Sequence, residues 1–119
     1  MTPVKVSRGT IVVLEPDPAV NPPVGHEQRG PRPAVIVSDE NQRTRFPMFC
    51  VVPLTTAAVA GEIYPLVSPS QESGLSREST ALTSDIRGID PRRIRRVAGM
   101  LPRADLQIIE DALRKYLHL

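Results

Sequence analysis

Apolar, largely β-branched runs occur at Thr10–Leu14, Ala34–Val37 and Phe49–Leu54, with weaker ones at Ile63–Val67, Thr80–Thr83 and Ile94–Leu101. Short runs of this kind, bounded by glycine, proline and polar residues, predict strands. After Pro102 the period changes. Leu106, Ile109, Leu113, Tyr116 and Leu117 recur at three- and four-residue steps, while Glu110, Asp111, Arg114 and Lys115 fall elsewhere on the wheel. That spacing predicts an amphipathic helix from about Arg103 to His118, and a proline just before its first turn is well tolerated there. Six short strands followed by one helix predict a mainly β fold, a small, strongly bent barrel or half-open sheet closed by the C-terminal helix. The expected core is Val12, Val35, Val37, Val51 and Leu54 from the strands, with Leu106, Ile109, Leu113 and Leu117 from the helix. The polar stretch Asp39–Arg45 predicts one or two helical turns. Glu15–Pro31, with Pro16, Pro18, Pro22, Pro23, Gly25, Gly30 and Pro31, is the longest irregular stretch, and a loop of that length in a small domain is either floppy or functional.

Composition narrows the chemistry. A chain of 119 residues, 40% hydrophobic and with a net charge of +2, is expected to form one domain spanning 1–119. No apolar run is long enough for a membrane span, and Met1 to Arg8 lack a signal-peptide core, so no membrane association is expected and the cytoplasm is the expected compartment. One cysteine, Cys50, and two histidines, His26 and His118, leave no zinc cage, and neither a metal site nor a cofactor is expected. With 3% aromatics and no Trp, an RNA-binding sheet built on stacked rings is disfavoured. The basic residues are instead arginines: of 15, only Lys5 and Lys115 are lysines. Arg87, Arg92, Arg93, Arg95, Arg96 and Arg103 crowd one stretch against Asp90 alone, and Arg29, Arg32, Arg43 and Arg45 flank a predicted strand. Such a basic surface on a nearly neutral chain suits phosphates or an acidic protein partner.

Three segments carry candidate chemistry. In Gly25-His26-Glu27-Gln28-Arg29-Gly30-Pro31-Arg32-Pro33, a histidine, a glutamate, a glutamine and two arginines fall within seven positions. A metal-free phosphodiester cleaver needs these groups: His26 or Glu27 as a base to deprotonate the attacking hydroxyl, and a guanidinium to stabilise charge on the phosphorane. The plain alternative is a solvated polar loop. In Pro53-Leu54-Thr55-Thr56 two hydroxyls follow an apolar strand, suited to phosphate oxygens or simply to a strand-end turn. Thr83-Ser84-Asp85-Ile86-Arg87-Gly88-Ile89-Asp90 reads as a turn with cap residues or as part of a site. Cys50, inside an apolar strand, is expected to be packed rather than reactive, and His118 to be an exposed helix-end residue.

Arg8-Gly9-Thr10-Ile11-Val12, Gly25-His26-Glu27-Gln28 with Arg32-Pro33-Ala34-Val35-Ile36-Val37-Ser38, Val52-Pro53-Leu54-Thr55-Thr56, and Ile86-Arg87 with Ile89-Asp90 follow one another over almost the whole chain. In that order and spacing the sequence resembles the MazF/PemK (Kid) family of toxin endoribonucleases. The resemblance implies an SH3-like barrel with a C-terminal helix, a homodimer with an RNA groove at its interface, and metal-independent cleavage of single-stranded RNA at a short sequence. It also implies neutralisation by a cognate antitoxin, expected to present an acidic, flexible segment to the arginine-rich surface. Arg32 matches the family's catalytic arginine and Thr55 its catalytic threonine. His26, Glu27 and Gln28 match loop residues assigned to acid–base work and RNA contact, and Arg29, Thr56, Asp85 and Arg87 are the further expected RNA contacts. The chain departs from the family pattern in three places. Asn21-Pro22-Pro23 lengthens the loop, Ser84-Asp85 stands where an acidic residue followed by Gln is common, and Gly88 replaces a usual hydroxyl residue. If Ser84–Asp85 lies on a strand, the carboxylate moves to the opposite face. The competing reading is a CcdB-like, non-enzymatic inhibitor of DNA gyrase on the same fold, which has no need of the Glu-Gln, Arg-Pro and Thr constellation.

Overall fold

The computed structural model describes residues 6–15, 32–39 and 48–119. Seven strands are present among them: β1 (Thr10–Leu14), β2 (Arg32–Ile36), β3 (Phe49–Thr55), β4 (Leu66–Val67), β5 (Ser79–Ala81), β6 (Arg87–Ile89) and β7 (Ile94–Met100), followed by the helix α1 (Arg103–Leu117). All pairings are antiparallel, in the order β4-β5-β3-β2-β1-β7, with β6 also paired to β3. Two one-turn 3-10 helices, Thr83–Asp85 and Pro91–Arg93, precede β6 and β7.

The continuous apolar run of β1 follows from burial on both of its faces, since every residue from Thr10 to Leu14 is buried. Alternate residues therefore feed two cores. Ile11, Val35, Val52 and Leu54 join Val67, Ala81 and Leu101 under Ile109 and Leu113 of α1. Val12, Leu14, Ala34, Ile36, Phe49 and Val51 meet Val6 and Ile89 on the other face. Full burial of side chains this size contributes about 1.5–3 kcal/mol each.

Pro53 lies inside β3, where a missing N–H normally breaks a ladder. Here its edge of the strand is the place where β5 gives way to the Thr83–Asp85 turn: Leu82 N donates to Pro53 O at 2.9 Å, and Leu82 O accepts from Asp85 N at 2.9 Å. No carbonyl is left waiting for the absent proton. The proline thus marks the point where β3 changes partner from β6 to β5.

The sheet remains open. Its outer members, β4 and β7, are bridged by the turn after β4: Met100 N donates to Glu72 O at 2.8 Å. Ser73, fully buried, fixes that turn by exchanging bonds with Ser70, Ser73 N to Ser70 Oγ at 3.0 Å and Ser70 N to Ser73 Oγ at 3.1 Å. Two glycines make the approach possible. Gly74 has φ +71°, and a Cβ there would lie 2.1 Å from Ala98 O, while a Cβ on Gly99 would lie 2.3 Å from Glu72 O.

Helix α1 starts after Pro102 and ends at His118 in the left-handed conformation, with Asp105 in its first turn and Arg114 and Lys115 in its last, signs that suit the helix dipole. Ile109 and Leu113 are buried and Leu106 partly so. Leu117, expected to point inward, is 45% exposed. Every residue from Arg114 to Leu119 is exposed, so the last turn carries the apolar period beyond the core. Val37 follows β2 rather than belonging to it and is partly buried. The stretch read as turn from Thr83 to Asp90 holds the first 3-10 turn and also β6, a strand too short and too polar to register as an apolar run. The turns expected within Asp39–Arg45 and most of the Glu15–Pro31 loop lie outside the described residues. No helix among the described residues is long and apolar enough to cross a membrane.

Candidate active site

Arg32 opens β2 and Thr55 closes β3. The β2–β3 register is constant through Ala34 opposite Pro53, Val35 opposite Val52 and Ile36 opposite Val51. Continued by two residues, it sets Arg32 opposite Thr55 on the same face, where side chains of opposed residues meet. Both positions are half-buried, at the end of the face that carries Val51, Ala34 and Leu14.

Thr55 Oγ1 accepts from Ala57 N at 3.1 Å. That bond occupies an acceptor site of the hydroxyl and leaves its proton available to donate. A guanidinium fork and a hydroxyl donor on facing residues make a pair suited to phosphate oxygens. Thr56 follows at the exposed strand end.

Arg87, on β6 opposite Val51, lies on the same face, half-buried. Desolvation by burial pushes its pKa down, Arg93 and Arg32 push the same way, and Asp85 opposes them. Arginine stays charged regardless, so the shift marks crowding of cations. Among the described residues no acceptor reaches its buried Nε. Arg93 donates from Nη2 to Glu15 O at 2.9 Å and precedes Ile94, the residue paired with Leu14, which itself pairs with Arg32. Thr55, Arg32, Leu14 and Ile94 therefore form one row across four strands. Arg93 had no signal of its own in the sequence, where it was one arginine among six.

The six arginines of that stretch do not act as one surface. Arg92 is locked two-pronged onto Asp90, with Nη2 to Oδ2 at 2.7 Å and Nε to Oδ1 at 3.1 Å, which holds the Asp90 carboxyl at about 2. Arg95 pairs with Glu15 at 3.5 Å, and Arg103 opens α1. Arg87 and Arg93 are the two that converge with Arg32.

Ser84 and Asp85 sit on the 3-10 turn rather than on a strand, so the argument from alternating strand faces does not apply. The turn is tied down by two hydroxyls. Ser84 Oγ meets Tyr64 OH at 2.9 Å, and the buried Thr83 donates to Ile63 O. Ser84 is engaged with the tyrosine, whereas Asp85 is exposed and near enough to Arg87 to act on its charge. Gly88 is exposed with nothing nearer than 3.8 Å to an added Cβ, so the fold does not demand a glycine there. Burial pushes the Cys50 thiol up, which suits a packed residue. Among the described residues no three His, Cys, Asp or Glu side chains are grouped to hold a metal ion. His26, Glu27, Gln28 and Arg29 lie outside the described residues.

Residues 7–117 match the model of the PemK-like, MazF-like toxin of type II toxin–antitoxin systems. The endoribonuclease MazF9 of Mycobacterium tuberculosis is 30% identical over 117 residues, covering 94% of this chain and 96% of the relative. Among solved structures, MazF of Deinococcus radiodurans superposes with a TM-score of 0.72 at 23% identity, covering 96% of this chain and 97% of the other. An endoribonuclease in complex with its cognate antitoxin, from a mycobacterial species, gives a TM-score of 0.73 at 20% identity, covering 97% of each chain. At these identities the structures speak for the fold, and the nearly full-length family match speaks for the lineage: the chain belongs to the PemK-like, MazF-like toxin family of type II toxin–antitoxin systems, a family of endoribonucleases.

Proposed function

We propose that this chain is a sequence-specific endoribonuclease toxin, one domain over its 119 residues, that cleaves single-stranded RNA in the cytoplasm without a metal ion and so halts translation and growth. The observation that carries the reading is the β2–β3 register, which, continued by two residues, sets Arg32 opposite Thr55. Arg32 holds two phosphate oxygens through its fork and stabilises the charge that builds on the phosphorane, and the Thr55 hydroxyl donates to a third contact. The ribose 2′-hydroxyl attacks the adjacent phosphorus as its proton passes to Glu27 or His26. The bond to the 5′-oxygen breaks, and that oxygen takes up a proton. The products are a 2′,3′-cyclic phosphate and a 5′-hydroxyl. Arg32 is not the base, because a guanidinium does not give up its proton. Gln28, Arg29, Thr56, Asp85 and Arg87 contact the RNA around the scissile bond.

The active form is a homodimer. Its cognate antitoxin lays an acidic, flexible segment over the arginines and blocks the RNA groove, folding as it binds. Nothing in the geometry favours the gyrase-inhibitor reading, which leaves the facing Arg32 and Thr55 without a task. The deciding experiment incubates the purified protein with total RNA in excess EDTA, then maps new 5′-ends and tests them for a 5′-hydroxyl. Discrete ends that persist in EDTA are expected. Activity that vanishes in EDTA and returns with magnesium overturns the metal-free mechanism, and no cleavage under any condition overturns the ribonuclease reading.

A further inference from the structure

Arg87 is in an uncomfortable place for a cation. Its Nε is buried with no acceptor among the described residues, and the charges of two further guanidiniums, those of Arg93 and Arg32, act against its own. Among the described residues the opposing charge acting on it is that of Asp85, which is exposed to water and so screened. An ordinary structural arginine is satisfied by a carboxylate, as Arg92 is by Asp90. A cluster that repels itself in the free protein is relieved by an anion, and the buried N–H adds a directed donor.

The strand geometry says where that anion sits. Arg87 faces Val51 and Thr55 is four residues further along β3, roughly 13 Å of strand at about 3.3 Å per residue. Arg87 therefore does not share the oxygens held at the Arg32–Thr55 end, yet its guanidinium is near enough to those of Arg32 and Arg93 to feel their charge. On the basis of the ribonuclease reading above, we propose that Arg87 and Arg93 form a second phosphate seat, which takes the RNA phosphate next to the scissile one. They hold the strand in register over the clamp and take no part in bond cleavage. A carboxylate of the antitoxin is the competing occupant. The phosphate is favoured because Arg87 lies on the same sheet face as Arg32 and Thr55, so one RNA strand passes both.

The test uses an RNA oligonucleotide spanning the mapped cleavage site, in an all-ribose form for single-turnover cleavage and with a 2′-deoxy sugar at the scissile nucleotide for binding. Arg87→Gln is expected to weaken binding of the uncleavable RNA about 10-fold and to raise the concentration needed for half-maximal cleavage, with the rate at saturation unchanged. The slope of log affinity against log salt should fall by about 0.7, the loss of one single-strand phosphate contact. Arg87→Lys should recover the slope. Arg93→Gln is expected to move the same readings in the same direction, and carries the test if Arg87→Gln does not fold. Arg114→Gln, in the exposed last turn of α1, controls for loss of one charge. A fall in the saturated rate without weaker binding overturns the seat, as does equal loss in Arg114→Gln, or loss confined to antitoxin affinity. Wild-type protein that neither binds nor cleaves the RNA sinks the ribonuclease reading itself; wild-type cleavage with unaltered binding by Arg87→Gln sinks only the second seat.

Discussion

The two faces of the sheet are built from alternate residues of the same strands, yet they end differently. The face under α1 closes on itself: Ile11, Val35, Val52 and Leu54 run out into Leu101, Ile109 and Leu113, apolar to the rim. The opposite face starts as apolar, with Val12, Ala34 and Val51, and runs out into Arg32, Arg87 and Thr55. One parity of the strand pattern is thus apolar throughout, and the other ends in the polar residues to which we assign the chemistry. Neighbouring substitutions on one strand should accordingly fail in different ways.

The sharpest contrast comes from the helix side. Ile109→Ala removes a fully buried side chain and should cost about 2–5 kcal/mol, read as a lower urea midpoint, with cleavage per folded molecule unchanged. Loss of cleavage at full stability in that variant would erase the distinction between the faces. On the other side, Arg32→Ala should lower single-turnover cleavage about 10²-fold or more while the denaturation midpoint holds, because it removes a charge-assisted contact strongest in the transition state. Thr55→Ala deletes one neutral donor and should cost less, about 10- to 10²-fold on the same reasoning. Near wild-type cleavage by Arg32→Ala would remove the clamp from the mechanism. The smallest effect concerns the Asp90–Arg92 pair, which is on neither core face. The Asp90 carboxyl is held at about 2 against an unfolded value near 3.9, so whatever stability it adds is complete above about pH 4 and disappears as the pH falls through 2. Thermal melts of the wild type and Asp90→Asn should therefore differ by a constant amount above pH 4 and converge below it. A difference that grows on acidification would show that another group governs that window.

The parts of this arrangement that were legible in the sequence are those where one period dominates. Thr10–Leu14 reads as a strand because burial on both faces makes it uniformly apolar, and α1 starts where Pro102 and the 3.6-residue period say it does. The strand ends that carry the proposed site are legible too, Arg32 after a Gly-Pro pair and Thr55 after an apolar run. What was illegible lacks any period of its own. The strand Arg87–Ile89 has three residues and a glycine in the middle, and exists because β3 lends it a partner. Leu117 keeps the helical step of Leu113, but among the described residues nothing lies beneath the last turn to bury it. Arg93 gains meaning only from the pairing of Leu14 with Ile94, a contact across some eighty residues that no local window contains.

The turn from Ser70 to Gly74 has a wider consequence. An outermost strand with free N–H and C=O groups invites a second copy of the chain to extend the sheet, the first step towards uncontrolled polymerisation. In this molecule the end of β7 is guarded. Met100 spends its outward N–H on Glu72 O, and the two glycines bring the turn so close to Ala98 and Gly99 that an incoming strand would have to evict it. Gly74 and Gly99, by having no side chain, thus let the turn occupy the place at this edge that a further strand would need.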